Sequence, residues 1–288
     1  TTPTVTLEPD PASTNQMLVA TASGSEDPEG TGTVTYAYEW FEDGVATAES
    51  ASATFPASAT GKNHTYRVQV TASDGLVESA FGFAEVNVIN SAPTLSGPSL
   101  SAATAIVGDV LTCSATATDL DPEDSPIVSY AWSDGSTGPS YTVTMADAVD
   151  STIPCTATAD DADGGVTTGT ASATVTNTAP TVDTVSVTPT TGQVGDVLTC
   201  TATASDADGT TPDLTYAWSD GSTGGSYTIP PADAVDSTIT CTATATDAYG
   251  ETGTGTASAT VTNTAPTVAA VTVTPTTGQV GDALVCAA

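Results

Sequence analysis

The side chains in this 288-residue chain that could do chemistry are few in kind: 34 acidic residues, five cysteines, one histidine, and Lys62 and Arg67 as the whole supply of lysine and arginine. Schiff-base, P-loop and arginine-clamp chemistries would each have to use one of those single residues. His64 lies in Gly61-Lys62-Asn63-His64-Thr65, expected as a loop before a strand, and no nucleophile-elbow motif accompanies it. Asn63-His64-Thr65 is a formal glycosylation sequon. Carboxylate pairs such as Asp161 and Asp163 suggest glycoside hydrolysis, but without aromatic platforms nearby, turn chemistry accounts for them better. The sequence reads as that of a protein that is not an enzyme.

The formal charge of −32 excludes nucleic acid and anionic membrane as partners, because binding either begins with cations displacing counterions. No run approaches the ~20 apolar residues that span a bilayer, and the N-terminus lacks the basic-then-apolar layout of a signal peptide. An exterior that is salty or rich in divalent ions suits such a chain, since screening relieves its self-repulsion.

What positions these residues is a tandem repeat of 86 to 87 residues. Asn90-Ser91-Ala92-Pro93 returns as Asn177-Thr178-Ala179-Pro180 and as Asn263-Thr264-Ala265-Pro266. Gly108 to Cys113 returns as Gly195 to Cys200 and, slightly changed, as Gly281 to Cys286, while Tyr130 to Gly135 returns at Tyr216 to Gly221. Four units are expected: 1–90, 91–177, 178–263, and 264–288 as the opening of a fourth, so the sequence reads as a segment of a longer protein. The first unit is diverged, with Ala20 and Val68 where the others have cysteine and Trp40 at the tryptophan position.

Threonine supplies 60 residues, a fifth of the chain, and alternates with buried types. Leu198, Cys200, Ala202 and Ala204 interleave with Thr199, Thr201 and Thr203, and Ile239, Cys241, Ala243 and Ala245 repeat the pattern. A period of two means strands with one buried and one threonine-covered face. About seven short strands per repeat, punctuated by turns such as Ser219-Asp220-Gly221, predict an all-β chain of antiparallel sandwiches.

Cys113 and Cys155 fall on the inward parity of two strands with Trp132 between them, and Cys200, Trp218 and Cys241 repeat the order. This Cys…Trp…Cys order resembles the immunoglobulin-type device, in which a disulfide pins two sheets over a tryptophan. Metal binding is the alternative for the cysteines, but their spacings are not paired CxxC and no second histidine exists. In a core made largely of alanine, closing a loop of about 43 residues contributes roughly 4 kcal/mol. Disulfides also imply a compartment outside the reducing cytosol. Cys286 would find its partner beyond the end of the sequence.

Ala204-Ser205-Asp206-Ala207-Asp208-Gly209, then Leu214 to Ser222, Thr242 to Asp247 and Thr256 to Asn263 together resemble the polycystic-kidney-disease (PKD) type of immunoglobulin-like domain. In the first unit the likeness rests on Ser25 to Gly30, Tyr38-Glu39-Trp40 and Thr71 to Gly75. The tryptophan-x-phenylalanine-glycine-aspartate-glycine signature of that family is shortened here, and the paired cysteines look more like bacterial Ig-like repeats. The resemblance implies an extracellular β-sandwich used as spacer, stalk or adhesin segment, and it carries no catalytic residue.

In such a sandwich the loops after the second and sixth strands lie beside the incoming linker. This gathers Asp119, Asp121, Glu123 and Asp124 with Asp160, Asp161, Asp163 and Asn90 at one joint, and Asp206, Asp208 and Asp247 with Asn177 at the next. Clustered carboxylates with an amide are the oxygen-rich setting that Ca²⁺ takes, and the Asn-Thr-Ala-Pro linker resembles the cadherin-type joint. The plain alternative is that these acids sit in solvated turns. Short proline-bearing linkers predict semi-rigid stacking of the units into a rod on the order of 100 Å, from strands of about eight residues at about 3.3 Å each.

The functional expectation is a structural segment of a large secreted or cell-surface protein, assembling with itself into an extracellular filament in which strands of another chain, or of the continuing chain, complete residues 264–288. The rivals are spacer repeats of a secreted hydrolase and an adhesin binding surface proteins or glycans. For the adhesin only the first unit qualifies, because it holds Phe41, Phe55, Phe81 and Phe83. Trp40, Trp132 and Trp218, at matched inward positions, are expected in the cores.

Overall fold

A computed structural model describes residues 1–30 and 32–288. Among these the chain is all β apart from one 3-10 turn at Ala57–Ala59. It divides into two compact units, one of Thr1–Ala105, Asp109–Val143 and Asp150–Val175, the other of Ile106–Gly108, Thr144–Val149 and Thr176–Ala288.

The first unit holds two sandwiches. In one, strands Thr4–Glu8, Leu18–Ser23 and Thr54–Phe55 form a three-stranded sheet that faces a five-stranded sheet ordered Ala12–Ser13, Gly82–Ile89, Thr65–Ser73, Thr35–Glu42 and Val45–Thr47. In the other, Thr94–Leu100, Val110–Thr118 and Ser140–Thr142 face Thr104–Ala105, Val166–Val175, Thr152–Asp160 and Ile127–Trp132. The second unit repeats this plan with Thr181–Thr188, Val197–Ser205 and Ser226–Thr228 against Thr191–Gly192, Thr252–Val261, Thr238–Thr246 and Asp213–Trp218. In every sandwich the chain leaves its opening strand, crosses, and adds a two-residue strand parallel to the last long one: Ala12 beside Val88, Thr104 beside Thr174, Thr191 beside Thr260. That sheet-switching edge, over a three-plus-five arrangement in the first sandwich and three-plus-four in the others, makes these immunoglobulin-like sandwiches.

Burial follows the alternation. Along Thr152–Asp160, Ile153, Cys155, Ala157 and Ala159 are buried while the residues between them face outward. Alanine at these inward positions lets the sheets approach closely but gives a thin core, which the disulfides Cys113–Cys155 and Cys200–Cys241 cross. Each pairs in register with a tryptophan, Trp132 opposite Cys155 and Trp218 opposite Cys241. The indole N–H groups donate to Gly138 O at 3.0 Å and Gly224 O at 2.8 Å, satisfying the one polar atom that each ring buries.

In the first sandwich Val68 faces Trp40 with Ala20 nearby, and the volume is filled by Phe55 and Tyr66, with Phe55 centred 5.2 Å from both the Trp40 and Tyr66 rings. Phe55 is therefore core, which removes it from the aromatics expected to meet a ligand. Phe41, Phe81 and Phe83 stay on the outer surface, Phe81 and Phe83 about half exposed.

Close packing of the first and last strands needs glycine at set points. A Cβ on Gly253 would run into the Pro180 carbonyl, so the linker proline and the last strand of the third sandwich share a space that only a hydrogen fits. Residues after Asn263 form one hairpin, Thr272–Thr274 with Val285–Ala287, and all of them are exposed.

Candidate functional site at the linkers

The sequence Asn90-Ser91-Ala92-Pro93 cannot continue a strand past its proline, and its polar groups are taken up by the sandwich that follows. The Asn90 side-chain amide donates to Asp161 Oδ2 at 2.7 Å, and the Ser91 N–H donates to Asp121 Oδ2 at 2.8 Å. Asp161 Oδ1 accepts the N–H groups of Asp163 and Gly165 at 2.8 and 2.9 Å. Asp121, 1% exposed, also accepts the Thr14 hydroxyl on Oδ1. Gly165 is part of the socket, because a Cβ there would strike the Asp161 carboxylate and the backbone of Ala92.

The second linker, within the second unit, is held the same way. Asn177 donates to Asp247 Oδ2 at 2.8 Å, and the Thr178 N–H donates to Asp208 Oδ2 at 2.6 Å. Asp247 Oδ1 accepts the N–H groups of Tyr249 and Glu251, both at 2.9 Å. Asp206 is used by its own loop, accepting the Asp208 N–H and the Thr210 hydroxyl.

The two acidic sets differ in one respect. At the first linker Asp119, Asp124 and Asp161 bring carboxylate oxygens within 4.8 Å of one another, the one such gathering of three among the described residues. Asp121 lies beside it, donating its N–H to Asp119 Oδ1 at 2.9 Å. Asp160, expected in the same cluster, is exposed and accepts the Ala162 N–H of its own turn. Glu123 is exposed. The parity of the strand explains the split between neighbours: Asp160 ends Thr152–Asp160 on the outer face, so Asp161 turns inward. Asp206, Asp208 and Asp247 do not converge in this way.

Lys62, which no motif marked, reaches the first cluster. Its ammonium donates to Asp124 Oδ1 at 2.5 Å, to Asp163 Oδ2, and to Asn90 Oδ1 at 3.5 Å. Hydrogen bonds to Asp124 and then Asp163 push its pKa well above the ordinary lysine value. His64, weighed for catalysis, sits with Nδ1 2.7 Å from Asp43 and 3.4 Å from Glu42 at the surface.

The Asn90 amide, first among several donors, lowers the Asp161 pKa below 3.8, and the Asn177 amide does the same for Asp247. A carboxylate whose folded pKa is lowered stabilises the fold fully above its unfolded pKa, and loses that contribution as pH falls through the folded value. Melting temperature in about 1 M salt, where self-repulsion is screened, should therefore fall below pH 3.8, and fall less steeply in Asp161→Asn and Asp247→Asn. Equal slopes for wild type and both variants would remove the linker carboxylates from the acid response.

No protein-family model matches the chain, and no curated protein matches it. Among solved structures, the three N-terminal domains of the bacteriophage RB49 highly immunogenic outer capsid protein align with 16% identity over 92% of this chain and 99% of that one, at a TM-score of 0.32. A structure from a 1.5-MDa bacterial ice-binding adhesin aligns with 15% identity over 91% and 99%, at 0.33. Human CDH23 EC21-23 aligns with 15% identity over 91% and 100%, at 0.35. Among the described residues no helix is long and apolar enough to cross a membrane.

Proposed function

We propose that this chain is a non-enzymatic structural segment of a secreted or cell-surface protein, whose repeated sandwiches act through fold and surface. Boundaries at 1–90, 91–177 and 178–263, with 264–288 opening a further repeat, belong to the proposal, as do an extracellular location and self-assembly into a filament. The observation that carries it is the linker socket. Asn90 with Ser91, and Asn177 with Thr178, are each seated on a pair of aspartates of the sandwich that follows. A flexible tether would leave those donors to water. The two disulfides support an oxidising compartment. Of the two linkers where calcium is expected, only the first gathers three carboxylates, those of Asp119, Asp124 and Asp161.

Pulling the chain by its ends tests the structural reading. The disulfide-bearing sandwiches should each yield in one cooperative step, and reduction should lengthen each step by the residues that its bridge hides, 42 and 41. At about 3.5 Å per residue that is about 150 Å per sandwich. Gradual extension at low force, as a disordered linker gives, would sink it.

A surface feature favours adhesion as a second reading. On the outer face of the first sandwich the Arg67 guanidinium stands 4.9 Å from the Phe41 ring centre and 5.7 Å from that of Phe83. Half-exposed Phe81 adds to the face, whereas long outer faces elsewhere are threonine. Aromatic rings with a cation and flanking carboxylates suit a glycan or protein ligand.

A further inference from the structure

The three repeats make a comparison within one chain. The register that sets Val68 opposite Trp40 and Cys155 opposite Trp132 makes Val149 the counterpart of Lys62, six residues before each. Asp161-Ala162-Asp163 aligns with Asp247-Ala248-Tyr249, so Tyr249 stands for Asp163, and the loop that carries Asp124 reads Thr210-Thr211 in the third repeat. One cation and the two anions that it binds are thus absent together from the second linker. The shared residues, by contrast, keep their roles: Asn90 and Asn177, Asp161 and Asp247, Asp121 and Asp208.

Two carboxylate oxygens at the first linker are left over. Asp119 Oδ2 and Asp124 Oδ2 are buried without a hydrogen-bond partner, and the Asp124 side chain is only 8% exposed. An ammonium has three protons to give, and here they go to Asp124 Oδ1, Asp163 and Asn90. A divalent cation with six to eight oxygen ligands at about 2.3–2.6 Å would take the remaining two oxygens as well. It cannot do so beside Lys62, because any ion on the Asp124 carboxylate would stand within a few ångströms of the charge already there.

We infer that Lys62 is the resident cation of the first linker, and that it blocks a divalent-cation site made by Asp119, Asp124 and Asp161 with Asp163 and the Asn90 carbonyl at its rim. The inference rests on the acidic cluster being the point where a cation fastens the linker, and it reverses the expectation that calcium does so there. The first linker is held without metal, at any calcium level, and a single charge removal turns it into a metal-dependent one. The second linker, with neither lysine nor the two extra acids, depends on neither.

The test is calorimetry on the full chain: wild type, Lys62→Met, and the triple variant Lys62→Val, Asp124→Thr, Asp163→Tyr, which installs the residues that stand at the corresponding positions around the second linker. In chelator Lys62→Met should lose on the order of 5 °C of melting temperature in the first unit. In calcium chloride, against sodium chloride of equal ionic strength, it should regain that loss and bind one more Ca²⁺ than wild type, in the range of about 10⁻⁴–10⁻³ M. The triple variant should melt near wild type in chelator and gain no site. Should Lys62→Met or Lys62→Gln fail to fold in chelator, recovery of the fold by calcium alone supports the inference, and failure of calcium to restore it overturns it. Equal calcium binding by wild type and both single variants also overturns it. None of these outcomes bears on the pulling experiment, so the structural reading stands or falls separately.

Discussion

Reduction of the two disulfides should melt the second and third sandwiches well below the first. Cys113–Cys155 closes 42 residues and Cys200–Cys241 closes 41. On the chain-entropy account each contributes about 4 kcal/mol, against a total domain stability of about 5–15 kcal/mol. At about 4–8 °C per kcal/mol, the loss is roughly 15–30 °C. The effect should lie at the upper end, because the positions flanking each bridge are filled by alanine, such as Ala157, Ala159, Ala243 and Ala245, and offer little other burial. The first sandwich has Ala20 and Val68 at the cysteine positions and a packed Trp40–Phe55–Tyr66 group instead of a bridge, so reductant should leave its transition where it was. Scanning calorimetry with and without reductant, paired with thiol counting, measures this. One unshifted transition after all four thiols have been titrated would contradict it.

Replacing Trp132 with alanine should cost about 3–5 kcal/mol, read as a drop in the urea midpoint of the first unit. The indole is 4% exposed, stacks on Tyr141 with ring centres 5.2 Å apart, and donates to Gly138 O. Its removal opens a cavity that methyl groups cannot reach across to fill. Trp218→Ala should do the same to the second unit, where the ring meets Tyr227 at 5.2 Å. The two losses should add, since the tryptophans belong to separate sandwiches in separate compact units. A cost under 1 kcal/mol for either would mean that the tryptophans are not what the bridges pack against.

The alternation of threonine with alanine and cysteine made the sandwiches legible, because a strand half in water leaves period two in its sequence whatever its neighbours are. The tryptophan and cysteine positions were legible for the same reason: each sits at the inward parity of a long strand. Asp161 and Asp247 were found by their place after a strand and beside a linker, yet Asp160 was grouped with them although strand parity sends it outward. Phe55 looked like its exposed siblings because its strand is two residues long, too short to show a period. Lys62 left no local sign, being 62 and 101 residues from the aspartates that it binds. Its only trace was the joint change at three separated positions between repeats, which means nothing until the fold brings them together. The need for glycine at 165 and 253 is likewise a property of what passes overhead.

The seating of Asn90 on Asp161 and of Asn177 on Asp247 bears on how such a chain grows. Plug and socket belong to the same stretch of polypeptide, a linker and the sandwich after it. A duplication copying that stretch inherits a working attachment at once, with nothing required of the unit upstream. Lys62 and Thr14 are the exceptions, contributions from the upstream side, and they tie the first two sandwiches to each other as specific neighbours where the rest could be lengthened or shortened by whole copies.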